Sequence, residues 1–103
     1  MIQHDKILNL LGLACRAGKT ISGDYAVTNY LKKKTVPMLF IATDGGTDTT
    51  EKFRRLAVKK GMRIVNLYTK EELGNAVGKG QNVVVLLADG GFARAIDNVM
   101  STM

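Results

Sequence analysis

The sequence predicts an α/β protein, and three features of its pattern lead to that class. Apolar runs at residues 38–42, 64–67 and 83–88 do not alternate with polar residues, as strands covered on both faces require. Segments with helical apolar spacing separate these runs. The 103 residues, 46% of them hydrophobic, fit one compact domain over residues 1–103. We therefore expect an α/β/α sandwich whose core strands are largely parallel.

The first half of the chain contains two predicted helices and two predicted strands. A helix opened by Asp5 and stopped at Gly18 aligns one apolar face, formed by Ile7, Leu8, Leu11, Ala14 and Cys15. An edge strand at 19–22 and a helix at 24–33 follow, and Pro37 forces the chain out of that helix before the strand at 38–42. The second helix is expected to bury Ala26, Val27, Tyr30 and Leu31.

The second half contains three further predicted helices. The inward-facing residues of the third and fourth are Phe53, Leu56, Ala57, Leu73, Ala76 and Val77. Thr69 and Glu72 have the spacing of a capping box, and Gly78 supplies a left-handed stop, so the polar loop at 79–82 is expected to be fixed. A last helix, opened by Asp89 and carrying Phe92, Ala93, Ile96, Val99 and Met100, is expected to close the sandwich.

The amino-acid composition indicates which binding partners and which cellular compartment to expect. Fifteen Lys and Arg residues against nine Asp and Glu give a net charge of +6, which favours an anionic partner such as nucleic acid or an acidic surface. The single cysteine, Cys15, excludes an intrachain disulfide and fits a buried side chain in a reducing compartment. No signal-peptide pattern is present, and no apolar run approaches the roughly 20 residues that cross a bilayer. A cytoplasmic protein without a membrane partner is expected.

Catalytic and cofactor motifs are missing from the sequence. Neither a Walker loop nor a dinucleotide fingerprint occurs, and His4, the sole histidine, is interpreted as a surface residue. Asp44 and Asp89 each follow a strand, at a carboxyl end where α/β proteins bind ligands, but the Asp-Gly-Gly pattern also fits a helix-capping turn. A receiver-like phosphoryl-transfer domain built on Asp44 would lack the further carboxylates that hold a metal. We expect no enzyme activity, cofactor, catalytic residue or metal site.

The basic residues form three groups. Lys32 to Lys34 can oppose a helix dipole, and the cations of the third helix favour a solvated face, namely Lys52, Arg54, Arg55, Lys59, Lys60 and Arg63. Lys70 and Lys79 flank the fourth helix and are expected at one end of the molecule, for phosphate contact or simple solvation. Tyr25 at the start of the second helix either stacks on a base or packs on the sheet edge.

Four stretches carry a resemblance to a known family. They are residues 11–19, the Ser22-Gly23 pair, residues 40–44 and residues 69–78. In this order they resemble the kink-turn RNA-binding ribosomal proteins of the "seven Ae" and "thirty e" type, within their short stand-alone bacterial branch. The resemblance covers essentially the whole chain and implies a three-layer sandwich with a mixed central sheet of about four strands, at least one of them antiparallel.

The resemblance also implies a function. It indicates a non-enzymatic, monomeric protein that recognises structured, kink-turn-like RNA, with ribosomal RNA and ribosomal proteins as partners. The implied RNA-binding residues are Ser22, Gly23, Asp24, Tyr25, Asn29, Lys33, Asp44, Lys70, Lys79, Gly80, Gln81 and Asn82.

The start of the second helix departs from the family pattern. After the glycine, the family has Thr-Asn-Glu and then a lysine three residues on, whereas this chain has Asp24, Tyr25, Ala26 and Asn29. The polar loop at 79–82 also replaces apolar residues of the family. A protein-interaction module that kept the fold and lost kink-turn binding is therefore the alternative hypothesis.

Overall fold

Five helices and four strands make up the computed structural model, which describes residues 3–103 and side chains from residue 6 onward. In chain order they are α1 Gln3–Arg16, β1 Thr20–Ser22, α2 Asp24–Lys33, β2 Met38–Ile41, α3 Thr47–Lys60, β3 Arg63–Val65, α4 Lys70–Ala76, β4 Val84–Leu87 and α5 Gly90–Met100. The predicted limits of α2 are confirmed. Asp5 lies inside α1 and does not open it. The interpretation of His4 concerns a side chain outside those described.

The strands form one mixed sheet in the order β1-β4-β2-β3. β2 and β3 are parallel, with Leu39 opposite Ile64, but β4 is antiparallel to both β1 and β2, with Ile41 opposite Val84. The mixed sheet implied by the family resemblance is confirmed, and the expectation of largely parallel strands is wrong. The reason lies in the loop after α4, where the Asn82 N–H bonds to the carbonyl oxygen of Lys70, the first residue of α4. The chain therefore enters β4 from the end of the sheet at which β3 finishes, and β4 runs in the opposite direction.

Two helical layers cover the sheet. α2 and α3 pack on one face, where Val27, Leu31, Phe53 and Ala57 meet alternate residues of β2 and β4. α1, α4 and α5 pack on the other face, and their core residues include Ile7, Leu11, Leu73, Ala93 and Ile96. All four residues of β2 and all four of β4 are buried, which explains why neither strand alternates in polarity. The three-layer α/β/α sandwich is confirmed.

Three residues predicted to be buried are not fully buried in the structure. Ala26 is exposed, because the face of α2 on the sheet is a narrow stripe through Val27 and Leu31, and the preceding residue points about 100° away. Cys15 is only partly buried, and its Sγ donates a weak hydrogen bond to the carbonyl oxygen of Val77 at 3.4 Å. Tyr30 is also only partly buried, against the α2–α3 side of the core.

β1 is an edge strand, as predicted. Asp89 opens α5, as predicted, by accepting a hydrogen bond from the backbone N–H of Phe92 at 2.8 Å. Since β4 runs opposite to β2, Asp89 and Asp44 follow their strands at opposite ends of the sheet. Among the described residues, no helix is both long and apolar enough to cross a bilayer.

Candidate nucleic-acid interface

One end of the sheet collects most of the candidate residues, and we refer to it as the upper end. β1, β2 and β3 finish there, and β4 begins there. α2, α3 and α4 follow β1, β2 and β3 directly, so all three helices also start at the upper end. A helix start carries partial positive charge and N–H groups without partners inside the helix. The backbone thus builds an end of the molecule that favours anions before any side chain is considered.

The start of α4 is closed by its own side chains. Thr69 Oγ1 accepts from the backbone N–H of Glu72 at 3.1 Å, and Glu72 Oε1 accepts from the backbone N–H of Thr69 at 3.0 Å. The predicted capping box is confirmed. Asp44 Oδ1 accepts from the backbone N–H of Lys70 at 2.8 Å, so this aspartate caps α4 from the loop after β2. These bonds leave few donors of α4 for a ligand.

The start of α2 is open. Gly23 precedes the helix with φ 95° and ψ 151°, a backbone conformation that essentially only glycine adopts, and no side chain caps the helix. A Cβ atom built on Gly23 would meet no heavy atom within 4 Å, so the space beside it is free. The Gly23 N–H donates to the Val84 carbonyl oxygen at 3.1 Å, which ties this helix start to the first residue of β4.

Tyr25 projects from the open start of α2. Its side chain is 81% exposed, which excludes the alternative that the ring packs on the sheet edge. The neighbouring residues Asp24 and Ala26 are exposed as well. An exposed aromatic ring beside uncapped helical N–H groups offers a stacking face and hydrogen-bond donors at the same place.

The loop at residues 79–82 is fixed to α4, as predicted. The Lys79 N–H donates to the Gly74 carbonyl oxygen at 2.8 Å, and the Asn82 N–H donates to the Lys70 carbonyl oxygen at 2.9 Å. A Cβ atom on Gly74 would lie only 2.6 Å from the backbone oxygen of Gly80. The loop backbone therefore rests directly on the helix, and only glycine leaves room for that contact.

Asn82 has an unusual environment at the base of this loop. It is 9% exposed, and its Nδ2 is buried without an acceptor among the described residues. A buried donor without a partner costs about 1–3 kcal/mol of stability. Because Nδ2 is shielded from solvent, a ligand would reach it only if the loop moved, whereas Gly80 and Gln81 above it are exposed.

Three of the candidate residues lie farther from the upper end than the others do. Lys33 is the last residue of α2, about 13 Å of helix away from Asp24, and Asn29 lies in the second turn. Lys79 is bonded to Gly74, whereas Lys70 begins the same short helix, so the two lysines are attached near opposite ends of α4. By contrast, the other nine candidate residues lie at the ends of strands, at the starts of helices or in the loop before β4: Ser22, Gly23, Asp24, Tyr25, Asp44, Lys70, Gly80, Gln81 and Asn82.

Sequence reasoning missed the role of Lys52. Its Nζ lies 3.0 Å from Asp24 Oδ1, and the hydroxyl of Thr28 donates to the same oxygen at 3.3 Å. The lysine therefore offsets the only negative side chain in the first turn of α2. Lys52 and Asp24 are 28 residues apart and belong to different helices, so no local pattern connects them.

The side chains of the metal-binding types are spread over the described residues. Within the part of the chain that the structure describes, no group of three His, Cys, Asp or Glu side chains is placed to hold a metal ion. The upper end offers the backbone donors of α2, the exposed ring of Tyr25 and the cations Lys52 and Lys70. Acidic side chains also stand there, in the first turns of the three helices: Asp24, Asp48, Glu71 and Glu72.

Most of the chain matches one known protein family. Residues 5–95 match the family described as Ribosomal protein L7Ae/L30e/S12e/Gadd45. The chain belongs to this family. The match leaves only short segments at either end of the chain outside the family region, so all the candidate residues lie within it.

Two curated relatives are similar over most of their length. RNA-binding protein YlxQ of Enterococcus faecium is 29% identical over 91 residues, which cover 88% of this chain and 87% of that protein. RNA-binding protein YlxQ of Bacillus subtilis (strain 168) is 28% identical over 91 residues, which cover 88% of this chain and 91% of that protein.

Solved structures of similar fold include a protein of unknown function from Bacillus halodurans. It has a TM-score of 0.85 and 28% identity, and the match covers 93% of this chain and 97% of that one. The 15.5kD RNA binding protein of Giardia lamblia has a TM-score of 0.77, with 97% of this chain and 86% of that chain covered. Its identity of 16% supports the shared fold alone.

Proposed function

We propose that this member of the family is a non-enzymatic protein that binds structured RNA at the upper end of its sheet. The observation that carries the proposal is the open start of α2 beside the fixed loop at 79–82. The names of the two YlxQ relatives support RNA as the ligand. We further propose that the RNA contains a sharp bend of the kink-turn type and that the protein acts on ribosomal RNA in the cytoplasm.

Each part of the surface has a distinct role in the proposed complex. The uncapped N–H groups of α2 donate to a phosphate or a base edge, and the free space beside Gly23 lets the RNA backbone approach closely. Tyr25 stacks on an unpaired base at the bend. Lys70 supplies a charge for a phosphate, and the exposed backbone of Gly80 and Gln81 forms the opposite wall.

The altered first turn of α2 changes how the bend is contacted. Where the family resemblance implies a glutamate that accepts from a guanine edge, this chain has Ala26, and the implied lysine is Asn29. An alanine cannot accept a hydrogen bond, so that base-edge contact is lost. The exposed ring of Tyr25 provides stacking instead. We therefore expect recognition by shape, stacking and phosphate charge, with little base-edge discrimination.

The test is a titration of the purified protein against a labelled kink-turn RNA and a straight duplex of equal length. Salt concentrations of about 50 and 200 mM separate shape selectivity from charge attraction, because phosphate contacts weaken steeply with salt. We expect tighter binding of the bent RNA at both concentrations. Equal binding of the two RNAs would remove bend recognition from the proposal, and no binding would remove RNA as the ligand.

A double substitution tests the place of binding. Lys70→Ala with Lys79→Ala is expected to weaken binding and to lower the slope of log affinity against log salt by up to about two. Lys6→Ala with Arg94→Ala is the control and removes the same charge from exposed positions of α1 and α5, which share the layer of α4 and carry none of the candidate residues. Unchanged binding in the first variant would contradict the assignment of these lysines.

A protein partner is the alternative favoured by the substituted first turn of α2. The exposed Tyr25 would then serve as an aromatic anchor for that partner. Capture of partners from an extract treated with nuclease separates the two functions. Partners that persist without RNA, together with absent RNA binding in the titration, would favour the interaction module.

A further inference from the structure

A cationic groove runs between α2 and α3, beside the upper end, and we name it the α2–α3 groove. It consists of two adjoining cavities of about 340 and 300 Å³, which share Thr28, Leu56 and Lys59. Five cationic side chains line them, and no carboxylate does: Lys32, Lys52, Arg55, Lys59 and Lys60. The sequence pattern favoured a merely solvated face for most of these cations, but the fold brings both helices' cations into one groove.

The charge of the groove is not balanced within the protein. Lys52 is paired with Asp24. Within the described part of the chain, no ion pair is formed by Arg55, Lys59, Lys60 or Lys32. Unpaired cations lining one groove repel one another, so an anionic partner stabilises the arrangement. The chemistry of the groove therefore calls for a ligand with several negative charges.

The shape of the groove favours a nucleic-acid backbone over an acidic protein. Stable protein interfaces depend on apolar or aromatic anchors that fill desolvated pockets. Here the lining residues include no aromatic side chain and only two apolar ones, of which Leu31 is 1% exposed and Leu56 is partly exposed. The accessible groups are the charged ends of Arg55 and Lys59, which contact phosphates without needing a pocket.

The spacing along α3 fits consecutive phosphates. Lys52, Arg55 and Lys59 are three and four residues apart, so they lie on one side of the helix. From the first to the third is about 10 Å of helix, at roughly 1.5 Å per residue. A row of this length can face more than one phosphate of an RNA strand, so that neighbouring cations contact different phosphates.

We propose that the α2–α3 groove binds the sugar–phosphate backbone of a stem flanking the RNA bend held at the upper end. This inference rests on the proposed function. The two surfaces are continuous, because the Asp24–Lys52 ion pair joins the first turn of α2 to the beginning of the groove at 3.0 Å. The groove lengthens the contact with the stem and adds charge without adding sequence preference.

The test compares two kink-turn RNAs that share the bend and differ by one helical turn of flanking stem. Wild-type protein and the Arg55→Gln, Lys59→Gln variant are titrated against both by fluorescence anisotropy. Glutamine preserves helix propensity at these exposed positions, so the fold is retained. The control is Lys6→Gln with Arg94→Gln, which removes two charges from exposed positions in the opposite helical layer.

We expect the longer RNA to bind wild-type protein more tightly and the groove variant to lose about three- to tenfold of affinity for it. For the groove variant on the longer RNA, the slope of log affinity against log salt should fall by about two. The groove variant on the short RNA, and the control on both RNAs, should bind like wild-type protein. If the groove variant gains as much affinity from the longer stem as wild-type protein does, this inference is overturned and the proposed function stays intact. Absent binding of both RNAs by wild-type protein would overturn both.

Discussion

The starts of α4 and α2 face the same end of the sheet but are built in opposite ways. α4 begins with a reciprocal capping box and a further bond from Asp44, so its first donors are bonded within the protein. α2 begins at Gly23 with no side-chain cap, open space and an exposed tyrosine. The comparison indicates a division of labour, in which α4 supports the surface and α2 leaves its donors for a ligand.

This division makes the two sides separable by experiment. A substitution in the cap of α4 or at its contact with the loop should reduce the free energy of unfolding, and binding should fall only because the loop is displaced. A substitution on the α2 side should change RNA binding while the free energy of unfolding stays nearly constant.

The largest expected effect on the α4 side comes from Gly74→Ala. Its methyl group would lie 2.6 Å from the Gly80 backbone oxygen, and backbone cannot move aside cheaply. We expect a loss of about 1–3 kcal/mol in the free energy of unfolding, measured by urea denaturation, although alanine is the better helix former. Gly80→Ala is the control, since its Cβ meets nothing within 4 Å, and its stability should match wild type. Equal stability of both variants would mean that the loop does not rest on α4.

The largest expected effect on the α2 side comes from Tyr25→Ala. Because the ring is 81% exposed, the free energy of unfolding should change by less than about 0.5 kcal/mol. RNA binding should weaken by about 1–3 kcal/mol, the usual worth of stacking a base on an aromatic ring. Tyr25→Phe keeps the ring and should keep the affinity. Wild-type affinity of Tyr25→Ala in the same titration would remove stacking from the proposal.

A smaller effect is expected from Thr69→Ala, which removes the cap of α4. The loss in thermal unfolding experiments should be about 1 kcal/mol, typical of a lost N-terminal cap. Thr69→Ser retains the hydroxyl and should retain most of the stability. If alanine and serine behave alike, the capping box contributes nothing to the support of the loop.

The smallest effect is expected from Asp24→Asn, which should raise the affinity for RNA where the other substitutions lower affinity or stability. Removing a carboxylate from the open start of α2 takes away repulsion of phosphate and frees Lys52, so RNA binding should tighten about two- to fivefold at low salt. Asp97→Asn is the matched control, because Asp97 is similarly exposed and pairs at 3.0 Å with Arg63, the first residue of β3. Weaker binding by Asp24→Asn would mean that this carboxylate accepts a hydrogen bond from the RNA.

Local patterns predicted the elements well. The limits of α2 at Asp24 and Lys33, the Thr69–Glu72 box and the cap at Asp89 all depend on residues within a few positions of one another. The direction of β4 could not be predicted from its apolar run, because burial on both faces is the same for parallel and antiparallel strands. The family resemblance implied only that at least one strand is antiparallel, and it did not indicate which one.

The candidate site was predictable only in part, for the same reason. Lys52 against Asp24, Asp44 against Lys70 and Gly80 against Gly74 are contacts between elements, and no local spacing encodes them. The exposure of Tyr25 was also undecided by sequence, since an aromatic ring at a helix start fits either a core edge or a surface. Lys33 was included through the resemblance, and the length of α2 separates it from the upper end.

The central claim, that RNA binds at the upper end through the open start of α2, is tested most directly by nuclear magnetic resonance. The backbone amide signals of uniformly ¹⁵N-labelled protein are followed while unlabelled kink-turn RNA is added. We predict the largest shifts at Asp24, Tyr25 and Ala26 and in the loop at Gly80 and Gln81, with small changes along α1 and α5. Shifts concentrated on α1 and α5, with the start of α2 unchanged, would contradict the account.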